Sequence, residues 1–135
     1  MPEGVGYSGS NVVATTGLSL NYIGKHCYAY NNFEASTATT TVLDFVTSAD
    51  YIVAIFQFNG PVDFTTPQNS ENAACGVKFN GLVVATLKAL QSDMPSSQTQ
   101  NFVIPPYTHV TVTVDSTDNQ PARIGTVSLT GKLYK

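Results

Sequence analysis

Few residues in this chain are equipped for chemistry. Its only imidazoles are His26 and His109 and its only thiols are Cys27 and Cys75. A nucleophilic site needs a serine or cysteine next to a histidine that a carboxylate orients. His109 instead sits in a Thr/Val alternation, where a surface histidine is expected. No GxSxG, HExxH or P-loop pattern occurs. A pair of hydrolytic carboxylates would have to be drawn from nine acids spread along the chain. Asp63, Glu71 and Asn72 fall in or beside one loop, but their spacing matches no calcium-binding loop. Cys27 and Cys75 have no CxxC spacing. They read either as small buried hydrophobes or as a disulfide, which needs an oxidising location. Zinc is not expected, because His26 and Cys27 are neighbours on a strand and point to opposite faces. The chain therefore reads as a protein without catalytic residues, cofactor or metal.

What remains is surface. If Cys27 and Ala29 face a core, then His26, Tyr28 and Tyr30 form an aromatic stripe on the outside, suited to sugar rings or to protein, since tyrosine is apolar in body and polar at its tip. The absence of tryptophan weighs against a sugar-binding module. A second stripe comes from YIVAIFQF. Ile52, Ala54, Phe56 and Phe58 make an inner face, which leaves Tyr51, Val53 and Ile55 where a free-standing sandwich shows polar groups. A partner subunit, an arm or a loop of the same chain is expected to cover them. Residues 1–16 read as an N-terminal arm, Gly-rich and carrying Val5, Tyr7, Val12 and Val13 with nothing local to pack on. Together with Phe64 in the Pro-rich loop, these are the expected assembly contacts.

The elements that must position these stripes are short strands. Leu18–Tyr22 alternates and ends at Gly24, and Cys27–Asn31 follows with Asn31-Asn32 as its turn. Thr37–Thr47 is β-branched, with Leu43 and Phe45 as anchors. Asp50–Asn59 stops at Asn59-Gly60-Pro61. Cys75–Leu87 is a hairpin about Asn80-Gly81, the type I′ signal; it sets Phe79 opposite Leu82 and Val77 opposite Val84 on one face. Residues 85–90 read as strand or as a helical turn, and 91–100 as a polar loop. Phe102–Ile104, Tyr107–Val114 and Arg123–Tyr134 complete the series. Strands at intervals of about 8–12 residues without helices imply an all-β antiparallel sandwich or barrel. A jelly roll of about eight strands over residues 17–135 fits the length best. An immunoglobulin-like sandwich is the alternative, although the chain lacks its Cys…Trp…Cys signature.

Length and charge narrow the function classes. A chain of 135 residues makes one domain. Only 11% of it is charged, against a usual share of roughly a quarter, and Thr, Ser and Asn supply the polarity. Six basic residues, scattered and with Arg123 the single arginine, form no stripe for phosphates, so nucleic acid is not an expected partner. Neither is a membrane, since no apolar run is long enough to span one. The N-terminal ten residues lack the charge and apolar core of a signal peptide. No N-x-S/T sequon is present, so sequon-directed glycosylation is not expected.

At the C-terminal end, FVIPPYTHVTVTV, a polar turn and GTVSLTGKLY form a strand, a Pro-containing corner, a Thr/Val strand and a closing strand ending in Gly-Lys-Leu-Tyr. Over about the last third of the chain this resembles the jelly-roll virion proteins of tailed bacteriophages, their minor capsid, decoration or cement proteins. That resemblance implies a homo-oligomer, often a trimer, which sits on the lattice of the major capsid protein and stabilises it, with the virion as its location. It carries over no catalytic residue. The rival expectation is a carbohydrate- or receptor-binding jelly roll, as at a tail-fibre tip or in a lectin, using His26, Tyr28 and Tyr30.

Overall fold

A computed structural model of the chain describes residues 18–63, 72–89 and 97–135. The expected arm contacts Val5, Tyr7, Val12 and Val13, the arm boundary itself, and Phe64 lie outside the described residues. Within them are nine strands and no helix: β1 Asn21–Ile23, β2 His26–Ala35, β3 Thr40–Val46, β4 Tyr51–Asp63, β5 Ala73–Phe79, β6 Leu82–Ala89, β7 Ser97–Ile104, β8 His109–Ser116 and β9 Gln120–Tyr134.

They form two antiparallel sheets, β1-β2-β9-β4-β7 and β3-β8-β5-β6. Pairing is nested. β5 pairs with β6, β4 with β7, β3 with β8 and β2 with β9, so the chain is one long hairpin folded over on itself. Rolling this hairpin up adds β4–β9 and β5–β8, which is the eight-stranded jelly roll, with β1 as an added edge. The final strand, β9, thereby becomes the middle strand of the five-stranded sheet.

The interior follows the alternation of side chains along each strand. Cys27, Ala29 and Phe33 of β2, Ile52, Ala54, Phe56 and Phe58 of β4, Val127 and Leu129 of β9, and Val110, Val112 and Val114 of β8 are all buried in one core. Phe33 stacks on Phe58 with ring centroids 5.9 Å apart, and Phe102 leans on Phe56 at 6.5 Å and Phe79 at 5.4 Å. Each such buried side chain stabilises by about 1.5–3 kcal/mol relative to exposure. Room for the Phe33 ring is made by Gly125. A Cβ there would stand 2.7 Å from Phe33 Cε1 and overlap the rest of the ring edge.

Several sequence expectations are corrected by this arrangement. The Asn31-Asn32 pair is not a turn, because β2 runs through it. Asn31 faces inward at the sheet margin, and its Nδ2 donates to the Val42 carbonyl at 2.9 Å, a use that a turn-forming residue type conceals. Asn59-Gly60-Pro61 does not end β4. The strand absorbs these residues as an irregularity between Asn59 and Val62 and continues against β9. Residues 85–89 are strand, not helix, and β7 starts at Ser97 inside the expected loop. The hairpin turn is as read, with Asn80 and Gly81 both at positive φ. Its register then slips between Val77 and Lys78, so Phe79 opposes Leu82 but Val77 opposes Ala85, not Val84. First among the strands, β1 is shorter than Leu18–Tyr22, and Leu18 and Tyr22 are exposed.

Cys27 and Cys75 are free and buried, the first of the two sequence readings. Burial raises both thiols above the ordinary 9.0, Cys75 to about 12.

Three outcomes are expected. Gly125→Ala, which forces the Phe33–Phe58 stack apart, lowers unfolding free energy by about 1–3 kcal/mol, measured by denaturant titration. The thiols should ignore a disulfide reagent at pH 8 in the native protein and both react in denaturant. A raised folded-state pKa means that their contribution to stability is intact below pH 9.0 and fades as pH climbs toward about 12, a fall that thermal melts across that window would record.

Candidate docking face on the five-stranded sheet

Every strand that sends one residue into the core must send the next one out. On the five-stranded sheet the outward residues line up in rows across the strands. His26, Lys132, Val53 and Val103 form one row, extended by Ile23 next to His26. Tyr28, Thr130, Ile55 and Asn101 form the next. Tyr51 stands opposite Tyr134 at the end of the sheet. The result is a patch of Tyr51, Val53, Ile55, Val103 and Tyr134 on the outer surface, with relative exposures of 48%, 49%, 52%, 61% and 47%. The Lys132 ammonium lies 5.6 Å from the centre of the Tyr134 ring, a cation–π contact on the flank of the patch.

The two stripes expected from the sequence thus share one face. The structure leaves Tyr51, Val53 and Ile55 uncovered by any described residue. His26 and Tyr30 are exposed, Tyr28 is half-buried, and the two tyrosine rings stack at 5.9 Å with 23° between their planes. Val103 and Tyr134 had escaped sequence reading. Val103 belongs to Phe102-Val103-Ile104, apolar on both faces like YIVAI, and that same signal would have found it. Tyr134 shows itself only once β9 is known to pair with β4.

The other half of the same face is polar and occupied with itself. Gln57 Nε2 donates to Ser97 Oγ at 3.0 Å, and Asn59 Nδ2 donates to Thr126 Oγ1 at 2.7 Å. Apolar exposure is therefore segregated toward the end where β4 begins and β9 finishes. The ends of β3 and β6 and the β7–β8 link at this end add to it. Val46, Leu82, Val83 and Tyr107 are all exposed. Tyr107 holds a left-handed φ of 54°, an unfavourable backbone for a residue with a Cβ. It is kept there by its N–H on the Ser48 carbonyl at 3.0 Å and by Thr47, whose hydroxyl donates to the Pro105 carbonyl and accepts from the Thr108 N–H, both at 2.8 Å. The link between β7 and β8 is thereby fixed with the Tyr107 ring turned to solvent. Strain of this kind, held by surrounding bonds, clusters where a surface has a task.

His109 Nε2 lies 2.6 Å from Asp44 Oδ1, and both side chains are about half exposed. The pair ties β3 to β8, while the His109 N–H donates to Asn80 Oδ1 at 2.9 Å and fastens the β5–β6 turn. Among the described residues no group of His, Cys, Asp or Glu is arranged to hold a metal ion, and no helix is long and apolar enough to cross a membrane.

No family model matches this chain, and no curated protein does. Solved structures resemble it at low identity. The chain is similar to the insecticidal delta-endotoxin Cry8Ea1 of Bacillus thuringiensis, at 6% identity and a TM-score of 0.44, over 79% of this chain and 20% of that one. A chain of the T13 viral particle of IBDV is similar at 13% identity and a TM-score of 0.41, over 81% and 32%. The sugar-binding EclA C-terminal domain is similar at 11% identity and a TM-score of 0.38, over 81% and 82%. The chain thus spans about a fifth of the endotoxin and a third of the viral protein.

Proposed function

We propose that the chain is a non-enzymatic structural protein of a virion, a capsid decoration or cement protein that acts as a homo-oligomer and binds the lattice of the major capsid protein. The observation that carries this reading is the solvent-facing patch of Tyr51, Val53, Ile55, Val103 and Tyr134, which gives way farther along the same sheet to the polar Gln57, Asn59 and Thr126. A contiguous apolar patch on an otherwise polar surface marks a place where another molecule sits. The jelly roll itself serves viral capsids and lectins alike, so the fold leaves both open, and the patch supports the structural reading. Low charge suits the role, because contacts made by apolar and hydroxyl groups hold in any salt. Repetition over a lattice multiplies contacts that are individually weak.

A second reading has its own observation. The Tyr28–Tyr30 stack presents two nearly parallel rings side by side on the same sheet, a platform on which a sugar ring can lie. In that case the chain is a carbohydrate- or receptor-binding module of the virion.

The two readings separate by mutation. The full chain should cosediment with particles of the virus that encodes it, and Val53→Asp, a charge forced into the contact, should reduce bound copies roughly tenfold or more with the circular dichroism spectrum unchanged. A wild-type chain absent from the particle fraction, or a Val53→Asp chain that binds as well as wild type, would defeat the first reading. Under the second, Tyr30→Ala abolishes binding on a glycan array while cosedimentation persists.

A further inference from the structure

The apolar patch lies where β4 begins and β9 finishes. At the opposite end of the sandwich β5 begins and β6 and β8 end. There a cavity of about 340 Å³ opens against the four-stranded sheet, a volume at the low end for small-molecule sites.

Its walls come from segments far apart in sequence that are bonded to one another. On the β2–β3 link, the Thr37 N–H and hydroxyl both donate to Asn119 Oδ1, at 2.8 and 3.3 Å. The Ser116 N–H donates to the Ser36 carbonyl at 2.7 Å, and the Thr117 N–H to the Asn72 carbonyl at 3.2 Å. At the end of β6 the Lys88 N–H donates to Gln98 Oε1 of β7 at 3.0 Å. The rim is therefore set before any ligand arrives, which spares the ordering cost of binding.

Ala73, Ala74 and Ala89 line the cavity with methyl groups. Ala74 pairs with Lys88 on one side and with Asp115 on the other. These two charges are thus rooted two strand spacings, about 10 Å, apart, with only a methyl between them. Both side chains are exposed. No ion pair joins them, and among the described residues neither charge has a partner. Ser116 lines the same space, and its Oγ is buried with no hydrogen-bond partner among the described residues, a state that folded proteins seldom leave unanswered.

We infer that this cavity is a binding site for a single neutral sugar ring. Its cation and anion cancel, so neither phosphate nor a metal ion gains net attraction there. A sugar hydroxyl both donates and accepts, so ring hydroxyls can donate to Asp115 while others accept from Lys88. A pyranose carries hydroxyls on both sides of its ring, matching side chains rooted two strands apart. An amino acid bears its two charges on one carbon and meets one of them. The C–H face of the ring rests on the alanines. A further hydroxyl supplies the bond that Ser116 lacks, which the serine reaches by turning about χ1. This goes beyond the lattice attachment proposed above, and it differs from the Tyr28–Tyr30 platform, which lies on the other sheet. A chain docked by its apolar patch keeps the cavity open at the far end.

The test titrates the full-length chain, without virus particles, with the methyl glycosides of glucose, galactose, mannose and N-acetylglucosamine, followed in amide NMR spectra. At least one glycoside should shift the amides of Ala74, Lys88, Ser116 and Thr117, with a Kd in the millimolar range. Asp115→Asn and Lys88→Met should each weaken that binding roughly tenfold. Ala74→Leu, which fills the floor and leaves both charges in place, should do the same, and all three should melt as wild type does. No shifts with any glycoside, shifts confined to the Tyr28–Tyr30 face, larger shifts at these amides from glycine or inorganic phosphate, or variants that bind as tightly as wild type would each overturn the inference. Such a failure leaves lattice attachment untouched, because none of the three substitutions falls in the apolar patch.

Discussion

The whole molecule hangs on the inward stripe of β4. Ile52, Ala54, Phe56 and Phe58 are all buried almost completely, and the rings from β2, β5 and β7 assemble on them. With a side-chain period of two, burying this stripe leaves no freedom over its complement. A slip of one residue would drive Tyr51, Val53 and Ile55 into the core and expel three large apolar groups and an alanine. The outward patch is thus held in place by the same packing that holds the protein together. Polar outward residues would serve folding equally well, as Gln57 and Asn59 demonstrate farther along the same strand. The apolar choice at 51, 53 and 55 therefore answers to something other than folding.

Much of this was legible from residue types alone. The all-β sandwich, the Asn80-Gly81 turn, the two faces of β4 and the opposed faces of β2 all follow from alternation and turn chemistry. What escaped shares a cause. Asn31, Gln98 and the Asn59-Gly60-Pro61 run carry residue types that favour turns or loops, yet each is used where a strand meets a margin. There a side-chain amide can satisfy the neighbouring sheet, or an irregularity can excuse a proline. Sequence reveals what a residue is able to bond but not which edge will lie beside it. Tyr134 and Val103 illustrate the same gap at the docking face. They join Tyr51 and Val53 only through the pairing of β4 with β9 and β7, and such long-range partners leave no mark in a local pattern.

The treatment of edges and the patch belong to one picture. Most of the exposed backbone on this sandwich is capped, shortened or kinked, and most of its outward face is polar and bonded to itself. The apolar rows on β4, β7 and β9 are an exception on the five-stranded sheet.

The place of β9 has a consequence for how the chain comes into being. It comes last in chain order among the described strands, yet it sits between β2 and β4. Until it arrives, these two have no neighbour on that side, and the phenylalanines of β4 have only half a sheet to hold them. Only β1 with β2 and β5 with β6 are local pairs; the pairing of β2 with β9 must close a loop of most of the chain, which slows folding. A copy that still lacks β9 is therefore exposed to clumping through its sticky, half-dressed strands, and the arrival of β9 acts as the keystone that lets the arch stand.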